Sequence, residues 1–148
     1  MYEQIKILGF VVNSEGVTTD AKQINGVKLL PYPKTKHDLQ QNLGLFSYFR
    51  KFIKNYSKIA APLQDLIKID APYIFGDEQK FAFKQLKSAL VEAPVLSLLD
   101  SSLETILKTD ASTIGLGASL FQIHNGIEKP VSFISRKLRR KELQHYST

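Results

Sequence analysis

The sequence predicts an α+β chain: a β-hairpin, a helical middle with one linking helix, and a closing three-stranded antiparallel meander. Three observations carry this reading. The first nineteen residues are β-prone and contain a turn. From residue 20 to about residue 90, apolar side chains recur at three- and four-residue spacing between prolines. After Pro94 the period falls to two.

Residues 4–12, QIKILGFVV, read as a strand, with Asn13-Ser14-Glu15-Gly16 as a turn into Val17-Thr18-Thr19, where Gly16 can adopt a positive φ. Asp20 is an expected N-cap for a helix carrying Ile24, Val27 and Leu30, which Pro31 and Pro33 stop. Thr35 and Asp38 form a capping-box variant ahead of a long helix expected from Lys36 to Lys54. Leu39, Leu43, Phe46, Phe49 and Ile53 share its buried side, widened by Leu45 and Phe52. Gln40, Gly44, Ser47, Tyr48 and Lys51 form a narrow opposite face without a large aliphatic residue. Gly44 is informative there, because a mid-helix glycine costs about 1 kcal/mol relative to alanine, which close approach of a partner backbone would offset. A shorter helix is expected over Ser57 to Lys68, with Pro62 near its start. Another follows Gly76-Asp77 and carries Ala82, Phe83, Leu86 and Leu90. Residues 103–110 and 114–123 alternate as strands, and Asn125-Gly126 is a two-residue hairpin signal into Ile127 to Ile134.

An apolar share of 43% is enough for a packed core. Twenty Lys and Arg against fourteen Asp and Glu give a net charge of +6, which favours a polyanion such as nucleic acid or an acidic membrane surface. Without cysteine there are no disulfides and no thiolate metal sites, which suits a reducing compartment. No apolar run approaches the ~20 residues that span a bilayer, and the start MYEQIKILGF lacks the pattern of a secretory signal. A soluble intracellular chain with no membrane partner is the expectation.

Two features point to chemistry. Asp110 ends an apolar strand before a tight connection, where a carboxylate either helps to hold a divalent cation or accepts N–H bonds of the turn. From Lys28 to Lys58 there are seven Lys or Arg and one acidic residue, interleaved with Tyr32, Tyr48 and Tyr56. Such a run either contacts phosphates and bases or is a solvated helix face. The denser run from Arg136 to Lys141 reads as solvated.

The segments ILGFVVNSEGV, DLQQNLGLFSYFRKFIKNYSKIAAPLQDLIK, FAFKQLKSALVEAPVL, LKTDASTIGLGASLFQ and KPVSFISRKL occur in the order of the polymerase-to-ribonuclease H region of Ty3/gypsy-type retrotransposon Pol polyproteins. The resemblance spans nearly the whole chain, and LGLFSYFRKFI and TDASTIGLGA are its most specific parts. It implies four segments: the end of a polymerase palm over 1–19, a thumb over 20–70, a linking segment over 71–98 and the start of a ribonuclease H-like domain over 99–148. Leu8, Gly9 and Phe10 resemble part of the primer grip. The helix bearing Gln40, Gly44 and Tyr48, with Lys51 and Lys54 beyond, resembles the thumb helix on the template–primer minor groove. Asp110 resembles the first of four carboxylates that hold two Mg²⁺ ions for RNA-strand hydrolysis.

The implied partners are an RNA–DNA hybrid or DNA duplex primer–template and the remainder of a polyprotein. The implied location is the cytoplasm, a virus-like particle or the nucleus. In this family the paired polymerase aspartates lie upstream and the next ribonuclease H glutamate lies beyond Thr148, while Glu142 aligns with an accessory residue. Asn42 stands where an apolar residue is usual, and Leu99 where proline is usual. With one catalytic carboxylate of four, this chain alone is expected neither to polymerise nor to cleave. The rival expectation is a host-adopted or remnant module that binds nucleic acid or protein without catalysis.

Overall fold

The computed structural model describes residues 3–139, so Arg140, Lys141 and Glu142 lie outside the described residues. The expected strand over 4–12 is divided into β1 (Ile5–Ile7) and β2 (Phe10–Asn13) by a turn at Leu8-Gly9. Both turn residues have positive φ, 51° and 84°. Glycine adopts this conformation freely, but a leucine there costs about 1–2 kcal/mol, so nothing in the local sequence announces the turn. Two bonds from distant elements hold it. The Asp20 N–H donates to the Gly9 carbonyl at 2.9 Å, and the Tyr48 hydroxyl donates to the Leu8 carbonyl at 2.6 Å.

β2 turns back into β3 (Gly16–Thr19) with Asn13 opposite Gly16, which makes a three-stranded antiparallel sheet in the order β1-β2-β3. Gly16 has φ 136°, and a Cβ there would collide with the Leu96 carbonyl oxygen. The close approach exists because Val17 and Leu96 exchange two backbone hydrogen bonds, at 2.7 and 2.8 Å. The segment after the last helix therefore joins the first sheet.

α1 (Ala21–Lys28) is capped by the Asp20 carboxylate, which accepts from the Lys22 N–H, and it buries Val27. α2 (Lys36–Tyr48) is capped by Thr35, whose hydroxyl accepts from the Asp38 N–H at 3.1 Å. It ends well before Lys54. The Phe49 N–H turns in to the Phe46 and Ser47 carbonyls, a 3₁₀ turn covers Arg50–Phe52, and Asn55 at φ 58° reverses the chain into α3 (Tyr56–Leu66). Neither glycine nor proline marks this break; asparagine, one of the few other residues that tolerate the left-handed region, supplies the reversal. Pro62, expected near the start of α3, lies inside it, and α3 keeps its course through the burial of Ala60, Ala61, Leu63 and Leu66. α4 (Asp77–Val91) presents Ala82, Phe83, Leu86 and Leu90 to the core as its spacing predicts. The core sits between these helices. Phe46, Phe49, Phe52, Tyr56 and Phe83 are each 2% exposed or less.

The second sheet has the order β4-β5-β6, with β4 (Thr105–Ala111), β5 (Gly115–His124) and β6 (Ile127–Lys137) antiparallel throughout. Asn125 and Gly126 form the expected two-residue turn, with φ 51° and 79°. Register separates two faces. Asp110, Gly117 and Ser135 stand opposite one another on the face toward α3, while Thr109, Ala118 and Ile134 stand on the other. Ser97 donates its N–H to the Pro130 carbonyl at 2.8 Å, so residues 96 and 97 tie the first sheet to the second.

Candidate nucleic-acid interface

The Leu8-Gly9 turn and the exposed face of α2 meet. Besides the Tyr48 bond to the Leu8 carbonyl, the Phe10 ring stacks on Tyr48 at a centroid distance of 5.2 Å and meets Phe49 edge-on at 5.3 Å. The Lys51 ammonium lies 4.5 Å from the Phe10 ring centroid. Leu8 is left 78% exposed, an apolar side chain in a strained backbone conformation at the surface. Strain of this kind costs about 1–3 kcal/mol and persists where surrounding bonds hold it in place. Gln40, Gly44 and Tyr48 are all exposed along α2, opposite buried Leu39, Leu43 and Phe46. A Cβ on Gly44 would meet nothing within 4 Å among the described residues, so none of them closes over it. The structure thus brings together Leu8, Gly9, Phe10, Tyr48 and Lys51, with Gly44 and Gln40 further along the helix. Lys54 is elsewhere. Because α2 ends at Tyr48, Lys54 borders a groove with Lys58, Phe81 and Gln85.

Asp110 belongs to a different part of the surface. It is exposed, and the turn that follows it is capped by Ser112, whose hydroxyl accepts from the Ile114 and Gly115 N–H groups at 3.2 and 3.1 Å. The neighbouring crevice, about 10 Å³, has room for roughly one water and is lined by Asn55, Lys58 and Gly117 besides Asp110. A Cβ on Gly117 would sit 2.5 Å from the Asn55 Oδ1, so the Asn55 side chain would have to shift to admit one. Among the described residues no cluster of three or more His, Cys, Asp or Glu forms a metal centre. On its other side Asp110 borders an open pocket of about 470 Å³ with Thr109, Leu116, Ile134 and Arg136, so among the described residues the site offers a single carboxylate, one ligand of the set that a Mg²⁺ ion takes alongside its own waters.

Sequence reasoning missed the contacts that fix the second sheet to the helices. Arg50 donates from Nη2 to the Ser135 carbonyl at 2.6 Å and to the Ser57 hydroxyl at 3.1 Å, with its guanidinium 4.8 Å from the Tyr56 ring centroid. The Ser57 N–H donates to the Ser135 hydroxyl at 2.9 Å. Lys137 reaches Asp65 at 2.8 Å, and Lys68 reaches the same oxygen at 2.9 Å. The Lys137 bond, then Lys68, holds the Asp65 carboxyl below its ordinary range against the opposing effect of burial. Burial pushes the Tyr56 phenol above its ordinary value, although the Arg50 charge opposes this. Only Asn55, an asparagine ahead of a helical pattern, left a local signal.

Residues 75–148 match the family described as the RNase H-like domain found in reverse transcriptase. The chain is 31% identical over 156 aligned positions to the retrovirus-related Pol polyprotein from transposon opus of Drosophila melanogaster, covering 98% of this chain and 16% of that polyprotein. It is 34% identical to the transposon Tf2-3 polyprotein of Schizosaccharomyces pombe, covering 96% of this chain and 11% of that one. Among solved structures it resembles the foamy viral protease-reverse transcriptase dRH in complex with double-stranded DNA, with a TM-score of 0.80, 26% identity, and coverage of 95% of this chain and 25% of that one. The same viral protein in complex with an RNA/DNA hybrid gives a TM-score of 0.78 at 26% identity, covering 95% of this chain and 19% of that one.

Proposed function

The chain belongs to the family of RNase H-like domains found in reverse transcriptase, within the reverse transcriptase–RNase H region of retrotransposon Pol polyproteins, and from this premise we propose that it holds a primer–template duplex. The supporting observation is the pinned Leu8-Gly9 turn. A strained, exposed turn fastened to Tyr48 is continuous with the α2 face on which Gly44 leaves backbone open to solvent. Such a face accepts a duplex by shape, with Gly44 as the point of closest approach and Tyr48 as an aromatic edge. The related foamy viral protein is recorded in complex with both double-stranded DNA and an RNA/DNA hybrid, which supports either duplex as ligand.

The division into palm end, thumb, linking segment and ribonuclease H start belongs to the same proposal, as do DNA synthesis and RNA hydrolysis by the longer polyprotein. So does a cytoplasmic, particle-associated or nuclear location. Asp110 is the single carboxylate among the described residues of both pockets it lines, so hydrolysis rests on the longer polyprotein and not on these residues alone. The deciding experiment is titration of a labelled RNA–DNA hybrid with the chain and with Gly44→Leu. The expected result is weak, sequence-tolerant binding that the substitution reduces while helix content holds or rises. Unchanged affinity would remove Gly44, and with it the α2 face, from the interface.

A further inference from the structure

A groove of about 650 Å³ runs between the 3₁₀ turn with the start of α3 on one side and β6 on the other. Arg50 and Lys51 come from the first side, Arg136 and Lys137 from the second, and no acidic side chain among the described residues lines it. Its floor includes Phe133 and the hydroxyls of Ser57 and Ser135. Four cations from two elements 85 residues apart thus converge on one channel. Arg136 and Lys137, the start of a run that by sequence alone reads as solvated, line this groove with a second basic pair.

Lys51 also links this groove to the surface proposed above, since its ammonium lies over the Phe10 ring. Arg50 uses a single nitrogen, Nη2, for both of its bonds, to Ser135 and Ser57. The remaining N–H groups of its planar guanidinium suit phosphate oxygens. The Asp65 carboxylate holds Lys137 and Lys68 together at 2.8 and 2.9 Å.

We infer that this groove is a second, sequence-independent phosphate-binding track, which carries the nucleic-acid backbone from the Leu8–Tyr48 surface across the seam between α3 and β6. The inference rests on the duplex-holding reading and shares Lys51 with it, but it is tested at Asp65 and Lys137, which that reading does not involve. It also gives Asp65 a role: its carboxylate competes with phosphate for Lys137 and so limits the strength of the track.

The test is fluorescence anisotropy of the 148-residue chain with a labelled 20-base-pair DNA duplex, between 50 and 200 mM salt. One phosphate contact contributes roughly 0.9 to the slope of log affinity against log salt, or about a threefold to fourfold change across that range. Asp65→Asn frees Lys137 and is expected to tighten binding and steepen the slope by up to that amount. Lys137→Ala is expected to weaken binding and flatten the slope, and to cancel the gain when combined with Asp65→Asn. A purely structural ion pair would not produce a gain in affinity. Unchanged affinity and slope in both single variants overturn the track. If Gly44→Leu still weakens binding in that case, the duplex-holding reading stands without it; if no variant has an effect, both fall. Equal response of these variants on phosphatidylserine vesicles, with DNA binding unaffected, would assign the groove to a lipid surface and overturn the inference. Circular dichroism of each variant confirms that the exposed substitutions leave the fold intact.

Discussion

The helical half and the second sheet are built on different principles. Around α2, α3 and α4 the buried side chains are large and apolar, and Phe46, Leu39, Leu63, Phe83 and Leu86 are fully excluded from water. In β4–β6 the most completely buried side chain among the described residues is polar: Gln122, at 0% exposure, accepts from the Asp100 N–H and donates to the Asp100 carbonyl and the Thr105 hydroxyl. Leu107 and Ile134 on the outer side of that sheet remain 60% and 57% exposed. The sheet is held to the helices by Arg50, Ser57, Ser135 and the Asp65–Lys137 pair more than by a shared apolar core. The helical half therefore carries its own stability, whereas the sheet depends on polar ties at a seam.

The largest effect that follows from this contrast is at Phe83. Its ring is fully buried and meets Phe46 and Phe75 edge-on, so Phe83→Ala should cost about 3–5 kcal/mol. A urea unfolding midpoint reads this directly. A loss below 1 kcal/mol would show that the helices do not share one close-packed core.

Arg50→Ala should cost less, about 2–3 kcal/mol, because it removes two charge-assisted bonds and leaves the Ser135 carbonyl without that donor. The loss should also be local. Amide exchange should rise in β6 before it rises in α4, and uniform acceleration would mean that helices and sheet unfold as one unit.

What was legible in the sequence follows the range of each signal. Caps, turn pairs and periodicity are local, and they located α1, α4, the Asn125-Gly126 hairpin and the three strands of the meander. The Leu8-Gly9 turn was not legible, because leucine is a poor turn former and the bonds that hold it come from Asp20 and Tyr48. The end of α2 at Tyr48 was missed for a similar reason: the apolar period continues through Phe49, Phe52 and Ile53, and only the Asn55 reversal changes direction. The pairing of Val17 with Leu96 joins residues far apart in sequence, and no local pattern encodes it. At the candidate interface, the α2 face could be read from spacing, whereas its continuity with the Leu8 turn is a product of tertiary structure.

A smaller effect is expected on acidification. The Asp65 carboxyl is held below its ordinary range, first by the Lys137 bond, so the folded state binds that proton less readily than the unfolded chain, whose value is about 3.9. Its contribution is complete above about pH 5 and is lost as pH falls through the lower, folded value. Both partners are substantially exposed, so screening limits the contribution to about 0.2–1 kcal/mol. Asp65→Asn should be slightly less stable than the parent at pH 7, with the difference narrowing as the pH falls below the ordinary carboxylate range toward the lower, folded value. A difference that persisted in acid would assign the effect to packing instead of charge.

The smallest effect is expected at Leu107, which makes the sharpest contrast with Phe83. Both are apolar, but Leu107 stands on the outer side of β4 opposite Leu120 and keeps 60% of its surface in water. Leu107→Thr removes little buried area and introduces a β-branched residue suited to a strand, so unfolding free energy should change by no more than about 0.5 kcal/mol. Gel-filtration behaviour should improve or stay the same, because an exposed apolar face favours self-association. A cost above 1 kcal/mol would show that this side of the sheet is covered in solution. If that cost also rose with protein concentration, the cover would be a second copy of the chain, and the second sheet would owe its stability to association as well as to its polar seam.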